Sequence, residues 1–126
     1  MKRCWFGLVL LVVLLAVSLT VTWGMDRIHR PIAADLNQAA ECAELGDWYH
    51  AEQFSRRAEE NWVKWEHFRA CFADHSPTEE VSQELAAMAQ NRLEREEAEF
   101  AASCARAAKM VQAVGDAHAL CWWNLL

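Results

Sequence analysis

Two prolines, four glycines and one tyrosine in 126 residues leave this chain almost without turn punctuation. Past its first two dozen residues only Gly24, Pro31, Gly46, Pro77 and Gly115 interrupt it, while Ala, Glu and Gln abound. No alternating strand pattern and no low-complexity stretch is visible, which excludes folds built from many short strands and leaves an all-helical reading. Positive charge is also scarce. With Lys2 and Arg3 set aside, ten Lys or Arg face eighteen Asp or Glu, a formal charge of −8 from Gly24 onward. Such a surface repels phosphate backbones, so no nucleic-acid partner is expected. No Cys-x-x-Cys occurs, and no set of nucleophile, acid and base has a spacing specific enough to name a reaction. We therefore expect no enzymatic activity, no cofactor and no metal.

What the chain does have is an uncharged run from Cys4 to Met25 behind Lys2 and Arg3, with Trp5 and Trp23 near its ends. At about 1.5 Å per residue such a run crosses the roughly 30 Å hydrocarbon core of a bilayer. Ala16-Val17-Ser18 resembles a signal cleavage site, but apolar character continues through Leu19, Val21 and Trp23 without a Gly or Pro break before Ser18. The expectation is an uncleaved signal anchor over residues 1–25 and an extracytoplasmic bundle domain over 26–126, in a single-pass cell-membrane protein. Lys2 and Arg3 against the Asp26, Arg27 and Arg30 flank place the N-terminus inside. Trp5 and Trp23 suit the two headgroup levels. Cys4 precedes the apolar run, which speaks against a lipoprotein.

A first helix is expected from about Pro31 to Leu45, with Ile32, Leu36, Ala39 and Ala43 on one face and Pro31 in its first turn. Gly46-Asp47 ends it and caps the next, so the two form an antiparallel pair. The second helix is expected from Trp48 to about Ala73, its wide stripe being Ala51, Phe54, Ala58, Trp62, Trp65, Phe68 and Phe72. Ser76-Pro77-Thr78-Glu79 has capping-box spacing and opens a third helix with Val81, Leu85 and Met88 inward. Continuing that register brings Arg92, Arg95 and Glu99 onto the core face, out of phase with the seam Phe100, Cys104, Ala107, Val111, Val114, His118, Cys121 and Leu125. A break near Asn91 to Glu97, with Asn91 left-handed, therefore separates a fourth helix. The expected architecture is all-α: a transmembrane helix followed by an up-down antiparallel four-helix bundle, its C-terminal tail returning to the membrane.

These residues resemble a bacterial family, domain of unknown function 4363. The likeness runs along nearly the whole chain: basic start and apolar span, Asp47-Trp48 with Ala51, Trp62 and Trp65, Asp74-His75, and Asn124-Leu125-Leu126. It implies a small membrane-anchored helical protein, brings no activity or cofactor, and points weakly to a membrane-protein partner. Pro77 ahead of Glu79 and the richness in cysteine depart from the family pattern.

Four constellations have a chemical reading and a structural one. Trp62 and Trp65 could stack on a ligand, but aromatics at that spacing on an amphipathic helix are core more often, with Asn37 and Gln38 as candidate partners for the indoles. Cys42, Cys71, Cys104 and Cys121 form an even set. Cys104 and Cys121 stand about 25 Å apart along one helix, which leaves Cys42–Cys104 with Cys71–Cys121, the crossed alternative, or free thiols in Ala-sized positions, the reading we favour. His118 and Cys121 share a helix face but make only two ligands, short of a zinc site. Asp74-His75 with Glu79 could move a proton, but capping and turn formation explain it better. The chain thus reads as a structural or interaction module partnering another membrane or envelope protein; the runner-up is a small-ligand or metal-binding envelope protein.

Overall fold

A computed structural model describes the backbone of residues 1–72 and 75–123 and the side chains of 1–71 and 75–117. Among these residues all secondary structure is helical: α1 (Lys2–Glu44), α2 (Trp48–Lys64), α3 (Glu66–Phe72), α4 (His75–Glu94) and α5 (Glu97–Trp123). The apolar run and the first bundle helix are one continuous rod, and Pro31 lies inside it instead of opening a new helix. The packing seam explains why. Met25, His29, Ile32 and Leu36 are all buried, so the same face enters the core on both sides of Pro31 and holds the helix through the one lost hydrogen bond.

Helix α1 packs against both α2 and α5, and α5 packs against α4. The order around the bundle is therefore α2, α1, α5, α4, each antiparallel to its neighbour. The far end, away from the apolar run, carries the C-termini of α1 and α4 and the N-termini of α2 and α5. The expected seams are in place: Ile32, Leu36, Ala39 and Ala43 of α1, Val81, Leu85 and Met88 of α4, and Phe100, Cys104, Ala107, Val111 and Val114 of α5 are all buried. Ala33, Ala40, Ala101 and Ala108 are buried too, and their small side chains let α1 and α5 approach closely. The seam positions His118, Cys121 and Leu125 lie outside the described side chains.

Both far-end turns use one construction. Gly46, at φ 78°, is the left-handed residue after α1; its amide bonds Ala43 O at 3.1 Å and the Asp47 amide bonds Cys42 O at 2.8 Å, the two bonds of a Schellman motif. Asp47 then caps α2, accepting from the His50 amide at 3.3 Å. After α4 the left-handed residue is Arg95, at φ 57°, and not Asn91. Arg95 N bonds Arg92 O at 3.3 Å, Glu96 N bonds Asn91 O at 3.1 Å, and the Glu96 carbonyl accepts from Phe100 N at 2.8 Å. A left-handed residue with a Cβ costs about 1 kcal/mol relative to glycine. Arg95→Gly is therefore expected to raise stability by about that amount, read as a higher urea midpoint of the full chain in mild detergent; an unchanged midpoint would contradict the assignment.

The second helix is not continuous to Ala73. It ends at Lys64, Trp65 breaks it, and α3 follows. Helix α4 begins at His75, so Ser76 and Pro77 sit in its first turn and Ser76 is not the capping residue of a Ser76–Glu79 box. Asp74 lies outside the described residues. At the near end α3 packs beside α1, where a Cβ added to Gly24 would stand 3.8 Å from Phe68 Cζ. A Cβ added to Gly115 of α5 would stand 3.4 Å from His29 Cβ. Continuing α5 from Gly115 to Trp123 adds about 12 Å, bringing its end level with the last turns of the apolar run.

Candidate functional site

Three features stand out against an otherwise alanine-rich core, and each follows from a break or a polar residue in a seam. The first centres on Trp62. Where α2 ends, its last carbonyls lose their helical partners, and the Trp62 carbonyl accepts instead from Arg69 Nη2 of α3. The Arg69 guanidinium carbon lies 3.5 Å from the centroid of the Trp62 ring, and His29 meets that ring edge-on with centroids 5.9 Å apart. The indole donates to Ser82 Oγ of α4 at 3.1 Å. Trp62 therefore joins four helices, and its partner is Ser82; Asn37 and Gln38 are exposed. Arg69 is 1% exposed with Nε and Nη1 unpartnered, and burial lowers its pKa to about 10, against a smaller opposing effect of Glu66. It stays charged at neutral pH, held by the ring face and the carbonyl.

The second feature is a polar bridge closing the bundle between α2 and α4. Arg92 Nη1 donates to Ser55 Oγ at 3.0 Å and to Glu59 Oε2 at 2.8 Å. Beside it Asn91 donates to Ser103 Oγ at 3.0 Å, and Arg106 donates to Glu84 Oε1 at 3.0 Å and to Ser103 Oγ at 3.1 Å. On the opposite flank Arg57 pairs through both Nε and Nη2 with Asp35, a half-exposed side chain against a buried one. That hydrogen bonding raises the Arg57 pKa, with Coulombic attraction adding to it.

The third feature is a near-end groove of about 400 Å³ between α1 and the α2–α3 break, lined by Gly24, Arg27, Ile28, Pro31, Ile32, Asn61, Trp65 and Phe68. The break turns Trp65 out of the core: it is 37% exposed, edge-on to Phe68, with Lys64 Nζ 5.7 Å from its ring centroid. Of the two tryptophans expected in the core, only Trp62 is there. Arg27 lies across the Trp23 ring, 4.8 Å from its centroid.

The other expected candidates do not come together. Cys42, Cys71 and Cys104 are free, so neither disulfide connectivity is formed; the Cys121 side chain lies outside the described residues. Burial pushes the Cys104 thiol up to about 12, with Arg92 opposing, and raises that of Cys42, with Asp47 and Glu41 adding. His75 is exposed at the start of α4, and the His118–Cys121 pair lies outside the described side chains. Among the described residues no group of three His, Cys, Asp or Glu is placed to hold a metal ion.

The family described as Domain of unknown function (DUF4363) matches residues 24–125. The chain belongs to this family. No curated protein and no solved structure matches it. The match to DUF4363 begins at Gly24, where the apolar run gives way to the bundle, and takes in all three features above. Sequence reasoning had reached Trp62 through the aromatic stripe; it missed Arg69, Asp35 and the Ser55–Glu59–Arg92 bridge. For Arg92 a signal existed, because the α4 register itself carries it inward.

Proposed function

We propose that this DUF4363 chain is a membrane-anchored, non-enzymatic interaction module of the cell envelope, its bundle outside the cytoplasm and its far end presented to a partner protein. The observation that carries the reading is the unbroken α1. One helix whose first half is apolar and mostly exposed continues into the centre of the bundle, with no linker between. A span in the bilayer would then fix both the height and the tilt of the domain, about 1.5 Å per residue along α1. The apolar surface of the first half is long enough to cross a membrane, and among the described residues none of its apolar window is buried.

The far end supports a protein partner. Leu45, Tyr49 and Leu93 are 85%, 67% and 74% exposed there, beside the exposed carboxylates Glu41, Glu44, Glu94, Glu96 and Glu97. Apolar side chains within an acidic field suit a partner surface that is basic and apolar. Two measurements test the proposal. Mass spectrometry of membrane-extracted protein should find the intact N-terminus, and a mature form starting near Leu19 would sink the anchor. A photo-crosslinker at Tyr49 or Leu93 in intact host cells should give one discrete adduct that is lost in Glu94→Lys/Glu97→Lys. Equal labelling from exposed Glu60, on the side of the bundle, would refute the far-end assignment.

A further inference from the structure

We infer that the near-end groove is a binding site for an anionic phospholipid of the leaflet in which the apolar helix ends, with its phosphate on Arg27 and the upper part of one acyl chain between α1 and the α2–α3 break. The inference rests on the membrane anchor proposed above and goes beyond it.

Placement is the first support. The groove starts at Gly24, the residue at which the exposed apolar run ends, and extends to Pro31 and Ile32, so it opens at headgroup level when the run spans a bilayer. Gly24 leaves room at that end: a Cβ there would only reach ordinary contact with Phe68 Cζ, at 3.8 Å. Its walls are apolar on both sides, Ile28 and Ile32 from α1 and Trp65 and Phe68 from the other, with Asn61 the one uncharged polar side chain. A protein interior would close over such a cleft. Here the helix break holds it open and keeps Trp65 partly exposed at its rim.

Charge is the second support. Although the domain is acidic, no carboxylate among the described residues lines the groove; Arg27 does, and Lys64 stands beside Trp65 at its edge. Asp26, the nearest acid in sequence, is engaged with Arg30 at 2.9 Å and lines a separate cleft with His29, Gln112 and Asp116. Glu66 lies in another cleft, with Arg69 and Glu79. Arg27 stacked on Trp23 is a guanidinium over an interfacial indole, a pairing suited to a phosphate at the membrane surface. Pro31, on the same wall, lacks an amide hydrogen and so cannot donate to the Arg27 carbonyl one turn earlier.

The test uses the full chain reconstituted in phosphatidylcholine vesicles with and without phosphatidylglycerol, followed by mild detergent extraction and native mass spectrometry. Phosphatidylglycerol should be retained over phosphatidylcholine by about fivefold, the preference expected of one arginine near an anionic surface. Arg27→Gln should bring the ratio near unity and Arg27→Lys should keep most of it. Lys109→Gln, an exposed change outside the groove, should leave it unaltered. Equal retention of the two lipids, or a Lys109→Gln effect as large as that of Arg27→Gln, overturns the site while leaving the anchor standing. Displacement of the lipid by soluble glycerol phosphate would overturn it too, by showing a phosphate site without a chain groove. A chain that fails to float with either vesicle would overturn both the anchor and the site.

Discussion

Trp62→Ala should destabilise the full chain in mild detergent by about 3 to 5 kcal/mol, the range for deleting a large aromatic from a packed interior. The upper part of that range is expected, because Trp62 does more than fill space. Its ring covers the Arg69 guanidinium, meets His29, and directs its indole N–H to Ser82, so its removal strips a buried cation of its π partner and leaves Ser82 without that donor. Small domains are stable by only about 5 to 15 kcal/mol in total, so much of the bundle's margin would go. Trp65→Ala, three residues on, is expected to cost under about 1 kcal/mol because that side chain is partly in solvent and outside the buried core. Chemical unfolding followed by circular dichroism compares the two. Equal losses would mean that the break after Lys64 is not where the structure places it.

The contrast between these tryptophans shows what periodicity conveys and where it ends. The apolar seams of α1, α4 and α5 were legible residue by residue, because burial of Ile32, Leu36, Val81, Leu85, Phe100 and Val111 needs only the helical repeat. The Gly46-Asp47 turn was legible as well, since its chemistry is local. The break at Trp65 was not. It contains neither Gly nor Pro, and what stabilises it is a tertiary contact, the Arg69 side chain on the Trp62 carbonyl. The left-handed residue went to Arg95 instead of Asn91 for a related reason: Asn91 is used in the bundle, donating to Ser103 Oγ, and Arg92 must remain helical to reach Glu59. Pro31 reads locally as a helix start, yet the seam from Met25 to Leu36 carries the helix through it. The near-end groove follows from that continuity and from the Trp65 break together, so neither pattern alone discloses it.

Glu59→Ala is expected to cost about 3 kcal/mol, the lower end of the range for removing one partner of a buried ion pair. The Arg92 side chain is 9% exposed and that of Glu59 is 25% exposed, so the change strands a guanidinium in the interior with Ser55 Oγ as its remaining acceptor. Arg92 Nε is already buried without a partner, which leaves no slack for a second loss. Removing both charges should behave differently. Glu59→Leu with Arg92→Met replaces the bridge by apolar volume between α2 and α4, and because neither charge then has to be desolvated, the double variant should come within about 1 kcal/mol of the parent or exceed it. Urea unfolding of Glu59→Leu, of Arg92→Met and of the double variant closes the cycle. If the double variant lost as much as the sum of the singles, the two side chains would be acting independently, and the bridge could not be what joins α4 to α2 across the open side of the bundle. A recovered double variant would show that the bridge contributes little net stability, leaving as its role the fixing of the register in which Trp62 meets Ser82.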